Sequence, residues 1–234
     1  MNRGLNRNQI KYIAIAAMLV DHIAWLFVRP FTPLWEIMHF IGRITGPTMA
    51  VFIAEGCRYT KDINRYTLRL GIFALISWPC FSLMETGRIT AQFGVIYTLF
   101  LSLLALRVWD AKCHIVIKLL CIGALLYLSS YGDWSYYDII YALIAHIFFE
   151  KKELRWGLHT LVAVIDIVIL EQSAMSYGYP WWAYSLELGV LLPPLIFFFF
   201  YNGQPGSKKT VHKWFFYVFY PLHMLVLWYI KYMI

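Results

Sequence analysis

The fold class this sequence predicts is all-α, a polytopic bundle of transmembrane helices, and two observations carry it. Of 234 residues, 61% are hydrophobic and 14% charged, too few charges for an ordinary water-facing surface. The apolar residues also come in continuous runs of about 20 instead of alternating, as membrane helices require and β-barrel strands do not. About nine such runs leave no length for a second domain, so residues 1–234 are expected to form a single membrane domain.

The runs can be justified in chain order. The first, 9–29, follows Arg3, Arg7 and Lys11 as a signal peptide's core would, but no small-residue cleavage site comes after it, so it reads as a retained helix. The breaker RPFTP at 29–33 separates it from the second run, 40–57. The third, 67–85, and the fourth, 91–107, flank ETG at 85–87. The fifth, 113–130, and the short sixth, 135–150, flank YGD at 131–133. The short seventh, 157–171, leads to the eighth, 181–201, and NGQPGS at 202–207 precedes the ninth, 211–231. No internal repeat or low-complexity tract interrupts them.

Cationic loops stay on the cytoplasmic side. With the N-terminus inside, the inside segments hold Arg3, Arg7, Lys11; Arg58, Lys61, Arg65, Arg69; Arg107, Lys112, Lys118; Lys151, Lys152, Arg155; and Lys208, Lys209, Lys213. Only Arg29, Arg88 and Lys231 fall outside, and Arg43 lies within a span. The expectation is a bacterial inner-membrane protein, N-terminus in and C-terminus out. The net charge of +7 is then mainly a topology signal, with no nucleic acid implied. Cys57, Cys80, Cys113 and Cys121 form no CxxC pair, and neither a disulfide nor a metal site is expected from them. Trp and Tyr near span ends, as in YPWWAY at 179–184, read as an interfacial belt.

Ionisable residues inside the runs are where function is expected, since each costs about 2.5–3.5 kcal/mol near a helix centre on insertion scales. Asp21 and His22 lie just past the middle of the first run. Adjacent helical residues point about 100° apart, so each should meet a partner on another helix. His39 and Arg43, at i and i+4, share one face at the second run. An Asp21–Arg43 ion pair would leave two imidazoles for proton transfer, or would simply staple two helices. His223, near the middle of the last run, is a further cavity candidate beside an ordinary hydrogen-bonded role, and Glu55, Asp166 and Glu187 read as structural partners.

The segments LNRNQIKYIAIAAMLVDHIA (5–24), MHFIGRITGPTMAVFIAEG (38–56) and RYTKDINRYTLRLGIFALISW (58–78) resemble the TraX family, named for a conjugal transfer protein that acetylates the pilin N-terminus. The likeness extends more weakly through FGVIYTL (93–99) and YGDWSYY (131–137). That family in turn resembles a superfamily of membrane acyltransferases, in which a basic residue near the cytoplasmic end of the first helix precedes, by three turns, an intramembrane histidine needed for transfer. The matching positions are Lys11 and His22, although lysine stands where arginine is usual and lacks its bidentate phosphate geometry.

The resemblance implies transfer of an acyl group, acetyl above all, from acetyl-CoA as co-substrate to an amine or hydroxyl of a pilin-like protein, a peptide, a lipid or a glycan. His22 is the first candidate for general base and His39 the second, with Asp21 and Arg43 beside them, Arg43 either facing the oxyanion or holding Asp21. Arg58, Lys61, Arg65 and Arg69, at helical spacings, suit the donor's phosphates, or report topology alone. No tightly bound cofactor is expected. A proton-coupled transporter and a non-catalytic scaffold of a transfer apparatus are the competing readings.

Overall fold

A computed structural model describes residues 4–180, 182 and 185–234. Arg3 and, from the aromatic belt, Trp181 and Tyr184 lie outside the described residues. The described chain is helical, with only two isolated bridges, Leu5 with Tyr201 and Phe93 with Gly132, in place of any strand. Among the described residues, helical segments fall within each of the nine apolar runs. Four segments are long and apolar enough to cross a membrane: Arg7–Phe27, Pro33–Tyr59, Ile63–Thr86 and Lys152–Ser176.

The chain divides into two compact units. One takes the residues through Thr48 together with Glu150–Trp214. Its helix α1 (Arg7–Phe27) starts in a capping box, with the Asn6 side chain accepting from the Gln9 amide and the Gln9 side chain from the Asn6 amide. Helix α2 (Pro33–Gly42) has Thr32 as its cap and Pro33 in the first turn, so the RPFTP breaker is also a start signal that brings helix forward of residue 40. The second apolar run then divides at Arg43, where α2 ends and α3 (Thr45–Tyr59) follows. The short seventh run lies inside a longer helix, α8 (Lys152–Ser176), because Lys152, Glu153, Leu154 and Arg155 favour helix as readily as the apolar residues do. The eighth run is broken: a 3-10 segment Ser185–Leu191, one turn α9 (Leu192–Leu195) and a π segment Ile196–Phe200. Pro193 and Pro194 remove two backbone donors there and prevent a continuous α-helix. The N-terminal segment is laced to the connection beyond it. Leu5 N donates to Phe200 O at 2.7 Å, Asn202 N to Leu5 O at 3.0 Å and Arg7 N to Gln204 O at 2.8 Å.

The other unit takes Met49–Phe149 and Phe215–Ile234. Here α4 (Ile63–Thr86), α5 (Val95–Asp110), α6 (Ile115–Ser129) and α7 (Ser135–Ile147) pack about α5, whose Leu101 and Ala105 meet Ile122 and Ile139. No side chain caps α5. Its Val95 amide donates instead to the hydroxyl of Tyr220, from α10 (Thr210–Met233), at 2.9 Å. Asp138 is fully buried and accepts from the Thr98 hydroxyl at 2.9 Å.

In both units apolar side chains also cover the outer surface, and several polar groups are buried. Leu68, Ile72 and Leu75 of α4, Leu119 and Leu120 of α6, and Leu161, Ile165 and Val168 of α8 are exposed, while Ser77, Thr98, Ser102, His39 and Asp138 are buried. Apolar rows outside with polar groups inside are an arrangement that suits hydrocarbon.

Candidate functional site

The candidate site lies in the first unit, where α2 runs against α1 and the 3-10 segment against α2. Gly42 is what lets α1 approach: a Cβ at that position would collide with Asp21. The Asp21 carboxylate therefore lies against bare backbone, within reach of His39 one turn earlier on α2. His39 Nδ1–H donates to Asp21 Oδ1 at 2.7 Å, and the imidazole is completely buried. Trp25 and Trp35 hold the ring edge-on, with centroids 5.7 and 4.4 Å away. With Nδ1 engaged, Nε2 is left buried with no hydrogen-bond partner. A carboxylate that orients an imidazole while the far nitrogen keeps its lone pair is the arrangement of a general base.

Besides Asp21, the Arg43 guanidinium has a second carboxylate within reach. Arg43 Nη2 lies 3.0 Å from Glu187 Oε1. The cause is a second glycine. Gly189 packs so closely that a Cβ would strike the Phe40 carbonyl and press on Arg43, and this contact delivers Glu187, two residues earlier, to the guanidinium. Ser185 on the same segment donates to Glu36 Oε2 at 3.3 Å. Asp21 and Arg43 remain in electrostatic reach of one another.

The other sequence candidates distribute as follows. His22 is buried on α1, close enough to feel both Asp21 and His39. Lys11 lies half-buried on the same helix, three turns earlier and so about 16 Å away along its axis. The basic row does not lie on one helix. Arg58 lies in the last turn of α3 and stacks 4.2 Å over Phe149, Lys61 falls in the break, and Arg65 and Arg69 belong to α4. Arg65 pairs with the cap residue Asp62 at 3.0 Å, and Arg69 donates to the Tyr217 hydroxyl at 3.2 Å. His223 belongs to the second unit, stacked on Phe219 and donating through Nδ1 to the Phe219 carbonyl at 2.9 Å. Glu36 and Ser185 carried no signal in the sequence. Glu187, read there only as a structural partner, owes its place to Gly189, which sequence spacing does not reveal.

The chain is 31% identical over 228 residues to a probable fimbrial assembly protein FimC, serogroup H1, of Dichelobacter nodosus, covering 94% of this chain and 93% of that protein. No solved structure matches it. The description "TraX protein" matches across residues 6–231, nearly the full length. The chain belongs to the TraX family.

Proposed function

We propose that this chain is a membrane-embedded acyltransferase that moves an acetyl group from acetyl-CoA to an amine or hydroxyl of a pilin-like acceptor, with the Asp21–His39 pair as general base. The observation that carries the reading is the 2.7 Å bond from His39 to Asp21 in a buried ring whose Nε2 is idle. An uncharged nucleophile must lose a proton as it attacks a thioester, and an imidazole held in one tautomer by a carboxylate takes that proton. This moves the first choice of base from His22 to His39, leaving His22 as a neighbour that shapes the same field. Arg43 is already matched by Glu187, so its role is to hold the 3-10 segment against α2 in preference to meeting the oxyanion.

Membership in a family named for a pilin-acetylating protein supports the reaction class. A relative described as acting in fimbrial assembly supports a fibre subunit as the acceptor class. The inner membrane, with the N-terminus inside, completes the proposal. It is supported by the clustering of Lys and Arg and by the backbone bonds that place the N-terminal segment beside the 202–204 connection, two parts the charge pattern assigns to one side.

The test is release of free thiol from acetyl-CoA by the purified protein in detergent. Wild type should release coenzyme A, and His39→Ala and Asp21→Asn should lower the rate at least 100-fold, in line with loss of a positioned base. Loss at His22→Ala with retention at His39→Ala would return the base to His22. Neither release nor saturable acetyl-CoA binding would overturn the reading in favour of a proton-coupled carrier or a scaffold.

A further inference from the structure

Outside the candidate site, the second unit brings together three residues that sequence spacing kept apart. Cys57 lies near the end of α3, Asp110 is the last residue of α5, and His146 lies in the last turn of α7. One donor atom from each, the thiol sulfur, a carboxylate oxygen and an imidazole nitrogen, all fall within 4.8 Å of one another. We propose that Cys57, Asp110 and His146 form a mononuclear site for a borderline divalent transition-metal ion of the zinc class.

Four features point the same way. The donor set is one thiolate, one imidazole and one carboxylate, three protein ligands that leave a fourth tetrahedral position open, whereas Mg²⁺ and Ca²⁺ prefer all-oxygen shells. His146 Nε2 lies 2.9 Å from Asp110 Oδ1, while its Nδ1 is buried with no hydrogen-bond partner. An ion entering between Nε2 and Oδ1 would take the place of that hydrogen bond and gain a donor from each side. All three residues come from helix C-terminal ends, whose carbonyls carry partial negative charge toward a cation. Access is graded: the His146 side chain is 13% exposed and that of Asp110 53%, so an ion and a water ligand can reach the cluster from one side.

The frame is fixed by contacts that need no metal. The Arg58 guanidinium stacks on Phe149, and the Tyr59 ring meets it edge-on, tying the end of α3 to the residues just after α7. Arg107, a further nearby cation, donates to Thr67 and Asn64. Binding would replace the Cys57 thiol proton by the ion and release that proton to solvent, so affinity rises with pH.

The test is a titration of the full chain, purified in detergent and stripped with a chelator, with Co²⁺ alone. One cobalt per chain should bind, with a thiolate-to-metal charge-transfer absorption in the near ultraviolet, and Zn²⁺ should displace it. Cys57→Ser should abolish the absorption, and Asp110→Asn should weaken binding about 10–100-fold. Cys113→Ser should change nothing. Failure of the wild type to take up stoichiometric cobalt, or an absorption that persists in Cys57→Ser, overturns the proposal. His146→Ala should bind at least tenfold more weakly. If that variant does not fold, the two conservative variants decide alone.

Discussion

Asp21 rests where Gly42 has no side chain, and the hydrogen bond to His39 follows from that vacancy. Any Cβ at 42 displaces the carboxylate, so Gly42→Ala should destabilise the protein by about 1–3 kcal/mol, the usual cost of overpacking, and should impair the proposed acyl transfer as strongly as Asp21→Ala. Gly157→Ala on α8 is the matched control. Its Cβ meets nothing within 4 Å, and replacing an interior helical glycine should be neutral or stabilising by up to about 1 kcal/mol. Thermal melts in detergent compare the two, and equal shifts would contradict the packing described for Gly42.

Arg43 and Glu187 should behave as a coupled pair. Removing either alone leaves a mostly buried charge, at a cost of about 1–3 kcal/mol for a pair still partly reached by solvent. Arg43→Met combined with Glu187→Met should cost less than the sum of the single changes. A double-mutant cycle on unfolding midpoints measures the difference, and strict additivity would show that the 3.0 Å contact contributes nothing.

Two buried hydroxyls at the start of α5 carry separate loads. Tyr220→Phe strands the Val95 amide, and Thr98→Val leaves Asp138 without its donor. Each should cost about 1–3 kcal/mol, the penalty for an unsatisfied buried polar group. Amide hydrogen exchange should localise the first effect to residues 95–98, which a general loss of stability would not do.

Cys113 reports topology. It is exposed in the turn between α5 and α6, on the side the charge pattern assigns to the cytoplasm. In a variant keeping only this cysteine, a membrane-impermeant maleimide should label it in permeabilised cells and not in intact ones. Labelling in intact cells would invert the orientation.

The sequence made much of the helical layout legible, because apolar runs and breakers are local signals. Where it misjudged an element, a local clue was read incompletely. Thr32 and Pro33 announce a helix start as well as a break, and Pro193 with Pro194 forbids the regular span that the apolar content suggests. The partner of Asp21 was another matter. His39 and Arg43 share a helical face in sequence, and nothing local says which one an approaching carboxylate meets. That choice depends on where α2 ends and on two glycines, 42 and 189, each of which admits a neighbour. The cluster of Cys57, Asp110 and His146 lay beyond any spacing rule, since its members come from three different helices.

The first unit also fixes an order of events during synthesis. Asp21 and His39 are made within one short stretch and can meet as soon as α1 and α2 pair. Glu187 follows Arg43 by about 140 residues. At about 5–20 residues per second, Glu187 is made roughly seven to thirty seconds after Arg43, while the intervening helices are threaded. Only when the 3-10 segment arrives can the Arg43–Glu187 contact form. Truncation before Ser185 should thus yield a nascent chain with the dyad formed and the Arg43–Glu187 contact missing.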